Sequence, residues 1–392
     1  MKKGWVTKTL GEILEKTETT NPTNKPDSEF DYIDVSSVSN ITFSVETTQT
    51  LKGKDAPSRA RKLVRENDVI FATIRPTLKR IAIVPKELDQ QICSTGYCVL
   101  RAKPEIDHRF LFYSLFTASF MGQMESLQKG ASYPAVTEGE VKAQSFSFPP
   151  LPEQQRIVAI LDEAFEAIAA ARTNTEQNRQ NARSLFESYL QSVFRQHGNG
   201  WVERSFSEVC EISSTLVDPR QDEYLEQLHI GGANIEAKTG KLLELRTARE
   251  ENLISGKFIF DESMVLYSKI RPYLMKVVRP DFKGLCSADI YPLSPKSGLL
   301  DRNYLFHMLL SPQFTDYANA GSARAGMPKV NRGHLFSYRC FFPPIEQQIE
   351  FAASLDALHE ETQCLESLYQ RKIAALDELK QSLLQQAFSG KL

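Results

Sequence analysis

The sequence predicts an α+β (mixed α/β) protein in which two globular domains are joined by two long antiparallel coiled-coil helices, the whole forming a pseudo-twofold internal repeat. Two observations carry this. Short motifs recur in the same order about half a chain length apart, and each half closes on a long stretch without glycine or proline. Gly4-Trp5-Val6 recurs as Gly200-Trp201-Val202, and Ile74-Arg75-Pro76-Thr77-Leu78 as Ile270-Arg271-Pro272-Tyr273-Leu274. Cys93-Ser94 recurs as Cys286-Ser287. Phe148-Pro149-Pro150-Leu151-Pro152-Glu153-Gln154-Gln155 answers to Phe342-Pro343-Pro344-Ile345-Glu346-Gln347-Gln348, and Leu190–Phe194 to Leu384–Phe388. One such match is chance; five in order are not. The stretches between them differ, so the halves share a frame and not a surface.

The repeat divides the chain into a domain at 1–150, a helix at 151–198, a second domain at 199–344 and a second helix at 345–392. Within the domains, Asp68–Ile74 and Ser263–Ser268 read as strands, being β-branched and aromatic. Phe110–Met124 and Tyr304–Tyr317 read as helices. Pro149-Pro150 and Pro343-Pro344 stop what precedes them, because proline fixes φ and cannot donate; Pro152 suits a first helical turn. In the second helix Leu355, Leu358, Leu365, Tyr369, Leu376, Leu379 and Leu383 form a 3–4 spaced seam, with Thr362, Lys372 and Gln386 as polar exceptions. The first helix offers Ile157, Ile160, Leu161, Ala164 and Ile168, then a polar middle (Asn174, Gln177, Asn178, Gln180, Asn181), then Leu185, Tyr189 and Val193. The stripes suit burial against each other or against each helix's own domain, and the polar middle suits a surface left for a partner. A helix of about 43 residues is roughly 65 Å long, close to the roughly 70 Å of two turns of B-DNA.

The 392 residues are 41% hydrophobic and 24% charged, enough apolar material for sizeable cores. The formal charge of −2 disguises an uneven distribution. Residues 51–80 carry nine basic side chains, Lys52, Lys54, Arg59, Arg61, Lys62, Arg65, Arg75, Lys79 and Arg80, against three acidic ones. The second half has Lys269, Arg271, Lys276, Arg324, Lys329, Asn331 and Arg332, whereas its long helix is acidic. Clustered Lys and Arg can neutralise phosphates, and Arg, Lys, Asn and Gln can read base edges; the plainer reading of any one charge run is a solvated face. The six cysteines form no CxxC pair and read as reduced, mostly buried thiols suited to a cytoplasm. Nothing reads as a targeting or membrane-spanning segment.

Catalytic signatures do not emerge. Gly53-Lys54, Gly240-Lys241, Gly256-Lys257 and Gly390-Lys391 are followed by the wrong residues for a phosphate loop. Asn21-Pro22-Thr23-Asn24 is not the Asn-Pro-Pro-aromatic motif of an amino-methyltransferase, and the six histidines lack metal spacing. A stand-alone methyltransferase or nuclease is therefore disfavoured; a coiled-coil adaptor that binds no DNA remains the other alternative.

With the paired Pro-Pro-Leu/Ile-x-Glu-Gln-Gln entries, the two variable domains and the ending Ala387-Phe388-Ser389-Gly390-Lys391-Leu392, the chain resembles, over essentially its whole length, the specificity subunits of type I restriction–modification systems. The resemblance implies a non-catalytic chain. Each domain would read one half of a bipartite, asymmetric site on double-stranded DNA. The helices would set the spacer and dock two methyltransferase (modification) subunits that use S-adenosylmethionine, and restriction subunits would add ATP- and Mg-dependent translocation and cleavage. No cofactor is expected on this chain. It also points to the Arg-Pro turns as DNA contacts: Arg75, Thr77, Lys79 and Arg80 in the first half, and Arg271, Tyr273 and Lys276 in the second. The glycine loops add Tyr133 and Arg324. Two departures from the pattern stand out: an extra proline at Pro152 and a longer second loop.

Overall fold

The computed structural model describes residues 4–130, 132–322 and 327–392. The chain forms two compact units, one made of Met1–Thr175 with Arg371–Leu392 and the other of Glu176–Gln370. The sequence-based divisions at 150, 198 and 344 set the helices apart as separate segments. In the structure each long helix, Leu151–Arg195 and Ile345–Ser389, contributes part of its 45 residues to each unit.

In the first unit a four-stranded sheet runs Gln49–Lys52, Glu29–Ile33, Ile92–Ser94, Ala60–Leu63, and a three-stranded sheet runs Ile81–Ile83, Val69–Ala72, Tyr97–Leu100. In the second unit the sheets are Cys210–Ile212, Ile290–Pro295, Val265–Ser268, Val277–Val278, and Leu216–Val217, Lys257–Phe260, Gly284–Cys286, Leu228–Ile230, Arg246–Thr247. Among the described residues each unit has one parallel pairing, Glu29–Ile33 with Ile92–Ser94 and Leu228–Ile230 with Gly284–Cys286, among antiparallel ones. In each unit an antiparallel ribbon joins two segments distant in sequence: Val6 pairs with Phe148, and Val202 with Phe342. The helices expected at Phe110–Met124 and Tyr304–Tyr317 are each two. Thr117 and Ser311 break them, capping the second helix of each pair by accepting from the Phe120 and Phe314 amides at 3.3 Å.

The glutamine-rich helix entries have a structural purpose. Gln154 is fully buried. Its Oε1 accepts from the Asp107 amide at 2.9 Å, and its Nε2 donates to the carbonyls of Pro149 at 2.9 Å and Glu105 at 3.0 Å. Gln348 repeats the pattern with the Asp301 amide (2.9 Å) and the carbonyls of Pro343 (2.9 Å) and Leu299 (3.0 Å). Asp107 and Asp301 in turn cap the helices His108–Ser114 and Arg302–Leu309. One amide thus locks the end of a strand, the start of a short helix and the start of a long one, satisfying groups whose burial unpaired would be costly. Because Gln154 matches Gln348, Pro152 stands in the place of Glu346; it is a replacement and not an extra residue.

The second helix buries a 3–4 seam one residue later at alternate positions than its leucines suggest. Leu355, Thr362, Tyr369, Leu376 and Leu383 lie on it as expected, but their companions are His359, Glu366, Ile373, Lys380 and Ala387. Leu365 and Leu379, expected in the seam, are 39% and 47% exposed. In the first helix Phe186 is buried, and Leu185 is 62% exposed. Within each unit the two helices run antiparallel. Arg172 pairs with Asp377 and Arg156 donates to the Leu392 carbonyl in the first unit; Arg179 meets Gln370 at 2.8 Å and Arg183 meets Glu366 at 2.7 Å in the second. Cys93, Cys98, Cys210 and Cys286 are buried, and burial pushes their thiols up to about 12. Among the described residues no helix is long and apolar enough to cross a membrane.

Candidate nucleic-acid interface

The Arg-Pro motif forms the same turn in both units. Strand Val69–Ala72 runs through Thr73 and Ile74 into Arg75, whose φ of 48° and ψ of 57° are left-handed. Pro76–Leu78 makes a single 3₁₀ turn, and Lys79 returns through a second left-handed residue at φ 53°. In the second unit Arg271 has φ 51°, Pro272–Leu274 turns, and Met275 has φ 47°. Left-handed backbone costs a residue with a Cβ about 1–2 kcal/mol, and such strain is held in place by its surroundings. Here the clamp is a proline carbonyl. The Arg75 amide donates to Pro134 O at 2.7 Å and the Arg271 amide to Pro328 O at 2.8 Å. Ile74 bridges Ala135, and Ile270 bridges Lys329, so the glycine loop and the turn form one tip. Both arginines are exposed.

Around Arg75 the tip is aromatic. Its guanidinium lies 5.2 Å from the centre of the Tyr133 ring, which is 72% exposed, and donates to Ser132 O at 3.3 Å. Gly130, at φ 101°, lets this loop double back; a Cβ there would stand 3.0 Å from Tyr133 O. Around Arg271 the tip carries Tyr273, 48% exposed, and Met327, 57% exposed. An exposed guanidinium beside an exposed flat or thioether side chain can stack on or hydrogen-bond to a base.

The other expected contacts divide by what already holds them. Thr77, Lys52, Lys54 and Arg59 are exposed. Lys62 is not available: it is buried, its ammonium bonded to Glu138 and to the Tyr97 carbonyl. Arg61 donates to Ala60 O at 2.8 Å. Arg80 donates to Val35 and Ser36 carbonyls at 3.3 Å and to Val38 O at 2.5 Å, and its counterpart Lys276 donates to Gly232 O. These two cations each tie the turn to a loop distant in sequence, at Val35–Val38 in the first unit and at Gly232 in the second. Lys269 donates to Ala288 O and sits 3.6 Å from Asp289; burial, with Lys329 alongside, pushes its ammonium below the usual lysine range. Lys329 lies 3.8 Å from Asp289. Asn331 caps Arg332–Phe336 by accepting from the His334 amide at 2.8 Å, and Arg332 lies over Phe336 at 6.0 Å. Arg324 lies outside the described residues. What sequence reading missed is the carbonyl clamp, although its signal was present: Pro134 and Pro328 stand at matching places in the two halves.

Among the described residues no cluster of His, Cys, Asp and Glu is arranged to hold a metal ion. Two copies of a mixed α/β domain, each presenting a strained, exposed arginine and locked onto a long helix, define a tandem recognition protein on a helical scaffold. Residues 2–178 and 198–372 match the model of the type I restriction modification DNA specificity domain, and the chain belongs to that family. It is 28% identical over 297 residues to the type I restriction enzyme EcoDI specificity subunit of Escherichia coli, an alignment covering 67% of this chain and 66% of that one. To the HindI specificity subunit of Haemophilus influenzae it is 27% identical over 141 residues, covering 35% of this chain and 30% of that subunit. Among solved structures, a chain from a study of assembly and conformational transition of the type I R-M system superposes with a TM-score of 0.84 at 29% identity, covering 99% of this chain and 98% of that one. The HsdS subunit of Thermoanaerobacter tengcongensis superposes with a TM-score of 0.69 at 29% identity, over 100% and 98%.

Proposed function

We propose that this chain selects the DNA sequence acted on by a type I restriction–modification complex, with each unit reading one half of a split, asymmetric site. The observation that carries this is the repeated exposed arginine in left-handed backbone, Arg75 and Arg271, set in surroundings that differ between the units. Equal backbones with unequal side chains are what two readers of two different half-sites require. The chain itself is non-catalytic in this reading and holds no cofactor. Two modification subunits supply adenine-N6 methylation from S-adenosylmethionine, and restriction subunits supply ATP- and Mg-dependent cleavage in the cytoplasm. The long helices set the unread gap, since 45 residues at about 1.5 Å each span roughly 68 Å. Their outward faces offer the modification subunits an exposed leucine at matching places, Leu185 and Leu379, and an exposed amide band at Asn174, Gln177, Asn178, Gln180 and Asn181.

The test is a genome-wide map of N6-methyladenine in the source cell with and without the gene. Loss of methylation at one bipartite, asymmetric motif is the expected result. Loss at a continuous or palindromic motif would overturn the two-reader assignment. If the map does not change, sequence-specific binding by the complex reconstituted with its modification subunits decides, and its absence would overturn the assignment as a whole.

A further inference from the structure

Two lysines of the second unit share a single carboxylate oxygen. The ammonium groups of Lys269 and Lys329 lie 3.6 and 3.8 Å from Asp289 Oδ1, so the acid holds them side by side. Both separations exceed hydrogen-bond length, so Asp289 balances charge without saturating either set of N–H donors. Lys269 has other support. Its side chain is 12% exposed, its ammonium donates to Ala288 O, and its Nζ lies 5.3 Å from the centre of the Tyr291 ring. Lys329 is 45% exposed, and among the described residues Asp289 is the one acid paired with it. Two positive charges gathered on one negative leave a surplus at the surface.

Backbone bonds place this triad at the base of the Arg271 turn. The Lys269 carbonyl accepts from the Val330 amide at 2.9 Å, and its amide donates to Asp289 O at 3.0 Å. Lys329 bridges Ile270 and follows Pro328, whose carbonyl clamps the Arg271 amide. The first unit makes the same backbone bonds with none of the charge: Val136 N to Thr73 O at 2.9 Å, Thr73 N to Gly96 O at 2.8 Å, and an Ile74–Ala135 bridge. Thr73, Gly96 and Ala135 thus stand where the second unit has Lys269, Asp289 and Lys329. The frame is built equally well without the ions, so packing does not account for them. One resident carboxylate and one incoming monoanion neutralise two lysines, and a phosphodiester is a monoanion.

We infer that Lys329, backed by Lys269, binds a backbone phosphate of the half-site read by the second unit, with Asp289 keeping the two lysines assembled when DNA is absent. This rests on the reading of the chain as a DNA-binding subunit. The contact is blind to sequence: it positions the duplex against Arg271 and Tyr273 and specifies no base. Asp289 opposes the phosphate while it holds the lysines, so it tempers affinity for any duplex and leaves discrimination to the turn.

The test uses the complex reconstituted with its modification subunits and duplexes carrying and lacking the recognition site, titrated across salt. Lys329→Met is expected to weaken binding to both duplexes by the same factor, and to lower the slope of log affinity against log salt by about 0.9. The deficit then narrows roughly threefold between 50 and 200 mM salt. Lys329→Arg is expected to restore the slope. Asp289→Asn is expected to act in the opposite direction, tightening both duplexes by about fivefold at low salt, the effect of removing a unit charge about 4 Å from a phosphate in water. Single methylphosphonates, which carry no charge, locate the contact. At one position in the half-site that fades in Arg271→Ala footprints, neutralisation should weaken the wild type and leave Lys329→Met unaffected. Specific binding by the wild type with an unchanged slope in Lys329→Met, no tightening in Asp289→Asn, or no phosphate whose neutralisation Lys329→Met masks would overturn the inference and leave the DNA reading intact. Absence of specific binding by the wild-type complex would overturn the DNA reading instead.

Discussion

Arg75 and Arg271 occupy the same backbone well, at φ 48° and 51°, each held by a proline carbonyl and followed by a second left-handed residue. Their neighbourhoods share much less. The first turn has Tyr133 against its guanidinium and Lys79 at its far end; the second has Met327, Met275 and an exposed Tyr273. Beneath the turns the buried glutamines are the same, but the electrostatic pins differ. The first unit buries Arg101 against Asp68, with Nη2 to Oδ2 at 2.8 Å. The second pins its domain to the long helix through Asp356, which takes Arg279 at 2.5 Å and His307 at 2.7 Å. At the matching place the first unit has Asp162, which takes Arg109 at 2.7 Å and, where the second has a histidine, the Tyr113 hydroxyl at 2.5 Å. Backbone-directed contacts repeat, and side-chain-directed ones drift. A recognition surface can therefore change without disturbing the turn that presents it.

The largest expected effect separates the pins. Arg101→Met leaves Asp68, 1% exposed, as a buried charge without its partner, and should destabilise the first unit by about 3–5 kcal/mol. Hydrogen exchange resolved by unit checks this; equal loss of protection in both units would mean that they do not unfold separately. Next come the shared clasps. Gln154→Ala and Gln348→Ala each strand two carbonyls and an amide, for about 1–3 kcal/mol, and denaturant melts should find the two costs similar. Arg75→Ala and Arg271→Ala should each weaken specific DNA binding by about 1–3 kcal/mol, at different half-sites. Footprints that fade equally at both halves under either substitution would break the two-reader comparison.

The smallest expected effect is the response to acid. Burial lowers His307, against the pull of Asp356, and also lowers His229 and His359 in the second unit; in the first unit burial lowers His108. Each is held neutral when folded and takes up a proton more readily when unfolded, so stability is lost as pH falls through the unfolded histidine range near 6.5. Asp356 behaves the other way. Burial raises its carboxyl, but His307 and Arg279 outweigh that and hold it at about 2, so its contribution is lost only as pH falls from about 3.8 toward 2. Unit-resolved exchange between pH 7.5 and 5.5 should show the second unit losing protection first, and His307→Gln should narrow the difference.

The repeat, the long helices and the strands before each Arg-Pro turn were legible because they depend on local chemistry: proline stops, β-branched runs, glycine-free stretches. The phase of the seam was not. Two rows one residue apart carry the same 3–4 spacing, and exposed Leu365 and Leu379 drew the eye from Ile373 and Ala387. The arginine turns were legible from their recurrence. The fate of their cations was not, because Lys62, Arg80 and Lys276 find their acceptors at residues distant in sequence, which a count of charges does not register. The same holds for Gln154 and Gln348: the sequence marks their recurrence, and only the fold reveals that their amides are turned inward.

The division of the chain also dictates an order of manufacture. Residues 176–370 are contiguous, so the second unit has all of its parts once they leave the ribosome. The first unit, begun earlier, lacks the segment 371–392 until the second unit has been made. Leu384 and Ala387 in that segment complete the core that contains Phe110 and Ile157. A nascent chain stalled before these residues would hold a finished second unit and an open first one, with apolar surface offered to chaperones until that segment arrives.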